Sequence, residues 1–415
     1  MKSEETLFSL YEEERKFRDL HLHLDMTRGK PCPEQLQLSE AMASLPLPFD
    51  HKTEEGTDLR NYGNPYGLIE AKRLMGSLVH VTDTDRIFIL GNSSLETMFS
   101  VINHAYIRGF LGDKPWKDLP EAKWLCPVPG YDRHFGITEY FGIKMINVPL
   151  LPTGPDMDVV EHLVSSDPSI KGIWCVPKFS NPSGYVYSDE TVRRMAALRP
   201  AAKDFRVFWD NAYFVHDLEE PFIEIPEILS LADQAGNPNM VIEFLSTSKI
   251  TFPGSGISAI LSSKENLEDF SSSIKIETIG FDKMNQMRHV LFLKDREHTL
   301  EHMRKHAEIL RPKFELVAKI LRESLADFAS WTSPKGGYFV ALHVEGCAKE
   351  IIAHCRELGV NFTKEGAAFP YGVDIENSTI RIAPTLPSLD ELKTAMEVLC
   401  CVTKIETLKH RGLAK

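Results

Sequence analysis

Lys249 is the residue in this chain whose surroundings could make an amine reactive. It follows an apolar, β-branched run, Met240-Val-Ile-Glu-Phe-Leu245, and three hydroxyl residues, Ser246, Thr247 and Ser248. The run reads as a buried strand. Thr251, Pro253, Gly254, Ser255 and Gly256 come next and cannot continue a regular element. Partial burial lowers an amine's pKa and frees its lone pair, so a lysine placed there can form a Schiff base with a carbonyl. Over this stretch alone, an ordinary solvated loop lysine reads the same. Other polar groups stand in comparable places. Ser93 and Ser94 open a helix after Arg86-Ile-Phe-Ile-Leu90, and Tyr131 lies past Lys123-Trp-Leu-Cys126. Asn181 sits in an Asn-Pro-Ser-Gly turn after Gly172-Ile-Trp-Cys-Val176, and Asp210 and Tyr213 follow Phe205-Arg-Val-Phe-Trp209.

The elements that must position these groups alternate. Strand, polar turn and helical spacing recur from residue 86 to residue 261, with polar residues gathered after strand ends. That alternation predicts a parallel, doubly wound α/β sheet, which binds ligands at the carboxyl ends of its strands. The helix start at Ser93-Ser94 offers free N–H groups to an anion, or plain capping by serine. It matches neither a dinucleotide fingerprint nor a nucleoside triphosphate loop. Residues 4–20 and 68–81 have helical spacing, as do 188–198, 294–327, 349–358 and 388–404. Strands are expected at 143–150, 336–344, 360–363 and 379–384. Leu24-Asp-Met-Thr-Arg-Gly-Lys-Pro31 reads as an extended segment whose Gly29 lets the backbone approach a ligand, with Arg28 and Lys30 beside it.

The 415 residues exceed what one core usually serves, so two domains are expected. A formal net charge of −12 argues against a nucleic-acid partner. No apolar run is long enough for a membrane span, and the first residues carry no signal-peptide pattern. Seven scattered cysteines fit a reduced, cytoplasmic protein, and no CxxC or HExxH pattern suggests a metal.

Taken in order, Asn181-Pro-Ser-Gly184, Asp210-x-x-Tyr213, Ser246-x-Ser-Lys249 and Arg381-Ile-Ala-Pro384 resemble the fold-type I pyridoxal-phosphate enzymes, the class I aminotransferases in particular. Asp25-Met-Thr-Arg-Gly-Lys-Pro31 and Thr247-Ser-Lys-Ile-Thr251 are similar to a bacterial, MocR-type subgroup of aspartate aminotransferases. The resemblance implies a large, mostly parallel seven-stranded domain over 50–295 and a smaller α+β domain from 1–49 and 296–415. It implies pyridoxal 5'-phosphate as cofactor, carried by Lys249 as an internal aldimine, with Lys249 then moving a proton. Asp210 would pair with the pyridine nitrogen, Asn181 and Tyr213 would hydrogen-bond the phenolic oxygen, and Tyr131 would stack on the ring. Ser93, Ser94, Ser246 and Ser248 would hold the phosphate. Tyr62 would reach the phosphate of a neighbouring subunit, which implies a homodimer with shared sites. Arg381 and Gly29 would bind the substrate α-carboxylate.

One position departs from the family. An arginine that binds the phosphate is usual eight residues after the lysine, and Ile257 stands there, followed by Ser258. Ser258, helix amides or a nearby cation would have to substitute. The reaction expected is transfer of an amino group between an amino acid and a 2-oxo acid. A β-lyase or decarboxylase would use the same lysine. A ligand-sensing module of a transcription regulator is disfavoured, because about 20 residues before Asp25 are too few for a DNA-binding domain. A dicarboxylic substrate, aspartate or glutamate, needs a second cation. Arg28, Lys30, Arg133 and Lys178 are candidates, with Lys178 and Arg28 preferred.

Overall fold

The computed structural model describes residues 2–412. Its strands in chain order are β1 (Leu24–Met26), β2 (Ile87–Ile89), β3 (Lys123–Val128), β4 (Lys144–Leu151), β5 (Gly154–Pro155), β6 (Ile170–Cys175), β7 (Arg206–Asp210), β8 (Val241–Ser246), β9 (Ser258–Leu261), β10 (Ser330–Trp331), β11 (Val340–His343), β12 (Val360–Phe362) and β13 (Thr379–Ile382). The main sheet runs β2-β9-β8-β7-β6-β3-β4-β5. Neighbours from β8 to β4 pair in parallel, whereas β9 is antiparallel to both β8 and β2. Two antiparallel pairings in succession restore the direction, so β2 points the same way as β8. The eighth strand, the two-residue β5, only folds back on β4, so it adds a hairpin to the seven strands expected.

The central strands β6, β7 and β8 are buried at every position, which is why they read as near-continuous apolar runs. Side chains alternate between the faces of the sheet. Val207 and Trp209 of β7 enter one core, with Leu74, Val192 and Leu229 from covering helices. Phe208 and Phe244 enter the opposite core with Trp124 and Trp174. Trp124 has no exposed surface and meets Trp116, Trp174 and Phe208. Its truncation to alanine would cost about 3–5 kcal/mol.

A third core joins the ends of the chain. The helix Lys2–Asp19 contributes Leu10 and Phe17, and the helix Leu389–His410 contributes Leu399 and Val402. That last helix starts in a capping box of Ser388 and Glu391. β10, β11 and β13 form an antiparallel sheet here, and β1 pairs in parallel with β12. The helix Arg296–Leu325 serves both bodies: Leu300 and Met303 pack in the first core, Leu310 to Leu325 in the third. A division after residue 295 therefore coincides with a helix start, while the packing changes partner further along that helix. Helices Lys264–Glu277 and Lys283–Leu293 occupy a stretch whose periodicity left it unassigned. All seven cysteines are free and buried. No helix among the described residues is long and apolar enough to cross a membrane.

Candidate active site

Because β2, β3, β6, β7 and β8 point the same way, their carboxyl ends meet along one edge of the sheet. A cleft of about 290 Å³ opens there, closed on its far side by Phe339 and Arg381 from the third core. Of the residues singled out in the sequence, Ser93, Ser94, Tyr131, Asn181, Asp210, Tyr213, Ser246, Ser248, Lys249, Gly29, Arg28 and Arg381 all line it. Lys178 and Tyr62 do not.

Lys249 stands half-buried in the turn after β8, its Nζ 4.9 Å from the centre of the Tyr213 ring. Burial holds its amine below the ordinary lysine range, and the nearby Asp210 carboxylate only partly opposes this. Asp210 ends β7 and is buried. Its Oδ2 accepts a hydrogen bond from His134 Nε2 at 2.9 Å, while its Oδ1 is buried without a partner. An orphaned carboxylate oxygen is costly unless something donates to it. His134 itself is fixed by stacking on Trp174, 4.3 Å between centres and 6° from parallel. Tyr131 packs edge-on against His134 at 5.0 Å. Burial first, and then the Asp210 charge, pushes the Tyr131 phenol up to about 12. Burial, and then the neighbouring phenols of Tyr131 and Tyr338, raise Tyr213, so both phenols are neutral donors.

The anion end is built from hydroxyls. Ser93 caps the helix Ser94–Arg108, accepting from Leu95 N–H at 3.2 Å. Ser246 and Ser248 hydroxyls lie 2.6 Å apart, and Ser248 donates to the Asn92 carbonyl at 3.1 Å. Ile257 is buried in the first core, and Ser258 Oγ, also buried, is bonded to Thr97 Oγ1 at 3.0 Å. Neither lines the cleft, so Ser258 does not stand in for an arginine at position 257.

Arg381 rises from β13, held by Thr363 Oγ1 at 3.2 Å and stacked over Phe339 at 5.1 Å. Its Nη1 donates to Asp132 at 3.0 Å and to Asn181 Oδ1 at 3.3 Å. Asn181 thus spends its carbonyl on the arginine and keeps its NH₂ as a donor. Gly29 lines the cleft for a different reason than close approach to a ligand alone. A Cβ there would lie 2.6 Å from the Phe339 ring.

Lys178 must be corrected. Its side chain is 2% exposed, and its Nζ is bonded to Asp217 Oδ2 at 2.6 Å and to the Phe214 carbonyl at 3.0 Å. Removing it would strand a buried carboxylate, so its charge is structural rather than presented to a substrate. Tyr62 is 78% exposed on a loop outside the cleft of its own chain. That loop is fastened by the buried Lys283, which donates to the Asn61 and Gly63 carbonyls on either side of Tyr62. Gln286, one turn on, accepts from Leu68 N–H at 2.8 Å.

His134 and Asp132 are the residues that sequence reasoning missed. Tyr131 is the N-cap of the helix Asp132–Tyr140, so His134 falls within its first turn, below the tyrosine. A helix start recognised after Pro129-Gly130 would have pointed to His134. Nothing local reveals that Asp132 meets Arg381.

A doubly wound sheet that offers a lysine, an unpaired aspartate oxygen and a hydroxyl-lined helix start at one edge defines a fold-type I pyridoxal-phosphate enzyme. The chain belongs to the aspartate aminotransferase family, whose model, "Aspartate amino-transferase", matches residues 3–413. It is 44% identical over 403 residues to an aspartate aminotransferase of Corynebacterium glutamicum, covering 95% of this chain and 93% of that one. The solved structure of an aspartate transaminase from C. glutamicum superposes with a TM-score of 0.96 at 41% identity, over 99% of this chain and 97% of that one. LysN, an α-aminoadipate aminotransferase of Thermus thermophilus complexed with N-(5'-phosphopyridoxyl)-L-leucine, shares the fold at 21% identity and a TM-score of 0.74, over 95% and 94% of the chains. The chain is therefore an aminotransferase.

The residues present fit pyridoxal phosphate. The orphaned Asp210 oxygen suits a protonated ring nitrogen, Lys249 suits attachment, and the serines with the helix start suit a phosphate.

Proposed function

We propose that the enzyme transfers the amino group of a dicarboxylic amino acid, aspartate or glutamate, to a 2-oxo acid, using pyridoxal phosphate carried on Lys249. The buried, unpartnered Asp210 Oδ1, in the same cleft as Lys249, supports the cofactor, and the cations Arg28, Lys30, Arg133 and Arg381 that line this cleft support a substrate with two carboxylates. Bound there, the cofactor supplies an electron sink for charge that develops at the substrate Cα. Asp210 accepts from the ring nitrogen and keeps its proton in place, and His134 keeps Asp210 oriented. Asn181 NH₂ and the Tyr213 hydroxyl donate to the phenolic oxygen. Tyr131 covers the ring face and excludes water. Ser93 and Ser94 would donate to the phosphate, and Ser246 and Ser248 would do so once their hydroxyls turn from each other and from the Asn92 carbonyl. Lys249 Nζ, held below its ordinary pKa, would be freed once the substrate amine takes its place, and would then hold the proton that leaves Cα.

Arg381 and the Gly29 backbone bind the α-carboxylate. Its guanidinium gains a substrate carboxylate beside Asp132, a bidentate partner of the kind arginine prefers. Arg28, Lys30 and Arg133 line the cleft with exposed side chains and serve the distal carboxylate. Tyr62 serves the phosphate of a second subunit, so the working unit is a homodimer with shared sites.

A panel of amino acids, each added to cofactor-loaded enzyme while the cofactor's absorbance is followed, tests the reading. Aspartate or glutamate should complete the half-reaction with far larger kcat/KM than alanine. Equal handling of alanine or an aromatic amino acid would leave the aminotransferase and remove the dicarboxylate.

A further inference from the structure

Lys249 belongs to a turn, Thr247–Thr251, that joins the end of β8 to a glycine-rich loop. The side of this turn away from the cleft meets three buried imidazoles, from three separate elements. His216, in the segment after β7, places Nε2 3.3 Å from the Lys249 carbonyl. His302, on the helix Arg296–Leu325, places Nε2 2.8 Å from the Ile250 carbonyl. A carbonyl only accepts, so both nitrogens carry their protons and donate. His289, on the helix Lys283–Leu293, is arranged the other way. Its Nδ1 lies 2.9 Å from the Asn285 carbonyl and must donate. In a neutral ring Nε2 is then an acceptor, and it lies 3.1 Å from the Thr247 hydroxyl and 2.9 Å from that of Thr251.

His216, His289 and His302 are 4%, 0% and 8% exposed, and burial holds each below the ordinary imidazole range. The turn is therefore gripped by neutral rings of fixed tautomer. A second row lies behind His302. Gln35 Nε2 donates to His306 Nδ1 and to the Tyr338 hydroxyl at 3.0 Å, so neutral His306 carries its proton on Nε2, which lies 3.1 Å from His302 Nε2 and shares the Ile250 carbonyl as acceptor. The orientation of Gln35 is set by Cys32 N–H donating to its Oε1 at 3.1 Å.

We propose that His216, His289 and His302 are positioning residues that fix the Lys249 turn, so that Nζ keeps its place over the Tyr213 ring. This rests on Lys249 being the lysine that carries the cofactor. None of the three rings lines the cleft; each acts through the backbone or hydroxyls of residues 247–251. An amine that takes a proton from a carbon must hold a fixed place, and a displacement of about 1 Å in such geometry costs about 10²-fold in rate.

The test compares His289→Leu, His302→Leu and the glutamine variants of all three histidines as cofactor-loaded enzyme. Glutamine keeps a donor and an acceptor on a longer, freely rotating stem. The leucine variants should lose about 10- to 10²-fold in kcat with KM for the amino acid unchanged. The visible circular dichroism of the bound cofactor should shift, and the glutamine variants should lie between leucine and wild type. Should a leucine variant not fold, the glutamine variants decide. Wild-type kcat and wild-type visible dichroism in every folded variant would overturn the proposal. Attachment of the cofactor to some other lysine in wild-type enzyme would instead remove the reading on which it rests.

Discussion

The floor and the mouth of the cleft are built by opposite rules. At the floor each functional group is held by another: Asp210 by His134, His134 by Trp174, and Arg381 by Thr363 and Asp132. At the mouth, Arg28, Lys30 and Arg133 are exposed, and no side-chain hydrogen bond or ion pair holds them among the described residues. Preorganised dipoles and charges in a water-poor site act on a transition state without reorganising. Exposed cations contribute only about 0–1 kcal/mol to surface ion pairs and gain strength when a bound substrate excludes water. If the proposed roles hold, labour is divided: the fixed floor serves the movement of an amino group, and the open mouth serves the choice of amino acid.

The largest effect that sharpens this contrast is expected at the floor. Asp210→Asn replaces the charged partner proposed for the ring nitrogen with a neutral one, and should lower kcat by about 10²–10⁴-fold while cofactor is retained. Steady-state kinetics with cofactor-saturated variant checks this, and near-wild-type turnover would break it. At the mouth, Arg133→Gln or Arg28→Gln should lower kcat/KM for aspartate and spare alanine. A hydrogen bond to a charged group is worth about 1.5–3 kcal/mol, so the loss should be roughly ten- to a hundredfold. Equal losses for both substrates would show that the mouth does not choose.

Two smaller effects concern stability and have opposite signs. Burial, and then the neighbouring His302, depress His306 from 6.5 to about 3. The unfolded chain then takes up a proton before the folded one does. Stability is present above the ordinary histidine pKa and is lost as pH falls toward about 3. Melting temperatures should therefore drop on acidification from about pH 7 to about 5, less steeply in His306→Gln. His354 is raised instead, chiefly by its bond to Glu406 at 2.8 Å, with Glu14 at 3.3 Å on the other side. Its stabilisation is present below the ordinary histidine pKa and is lost as pH rises through its elevated value. His354→Gln should lower the melting temperature by about a degree or two under mildly acidic conditions and not at alkaline pH. A loss that persists unchanged at alkaline pH would contradict the ion pair.

What could be read in the sequence follows the same divide. Strand ends are local: a buried apolar run stops, a polar residue follows, and the parallel topology brings Ser93, Tyr131, Asn181, Asp210 and Lys249 to one edge. Partnership is not local. Lys178 looks as available as Arg28 until the fold seats Asp217 against it, 39 residues on. Asp132 and Arg381 meet across 249 residues, and His216, His289 and His302 look like scattered surface polarity until three elements converge on one turn. Tyr62 reads as a loop tyrosine from sequence, while its anchor Lys283 starts a helix, Lys283–Leu293, that the sequence spacing does not predict.

The proposed chemistry turns on one amine, Lys249. Borohydride reduction of the cofactor-loaded protein, followed by proteolysis and mass spectrometry, tests it most directly. A phosphopyridoxyl group is expected on Lys249 alone, absent from wild-type protein pretreated with aspartate and from Lys249→Ala. A phosphopyridoxyl group on another lysine, or its formation in Lys249→Ala, would contradict it.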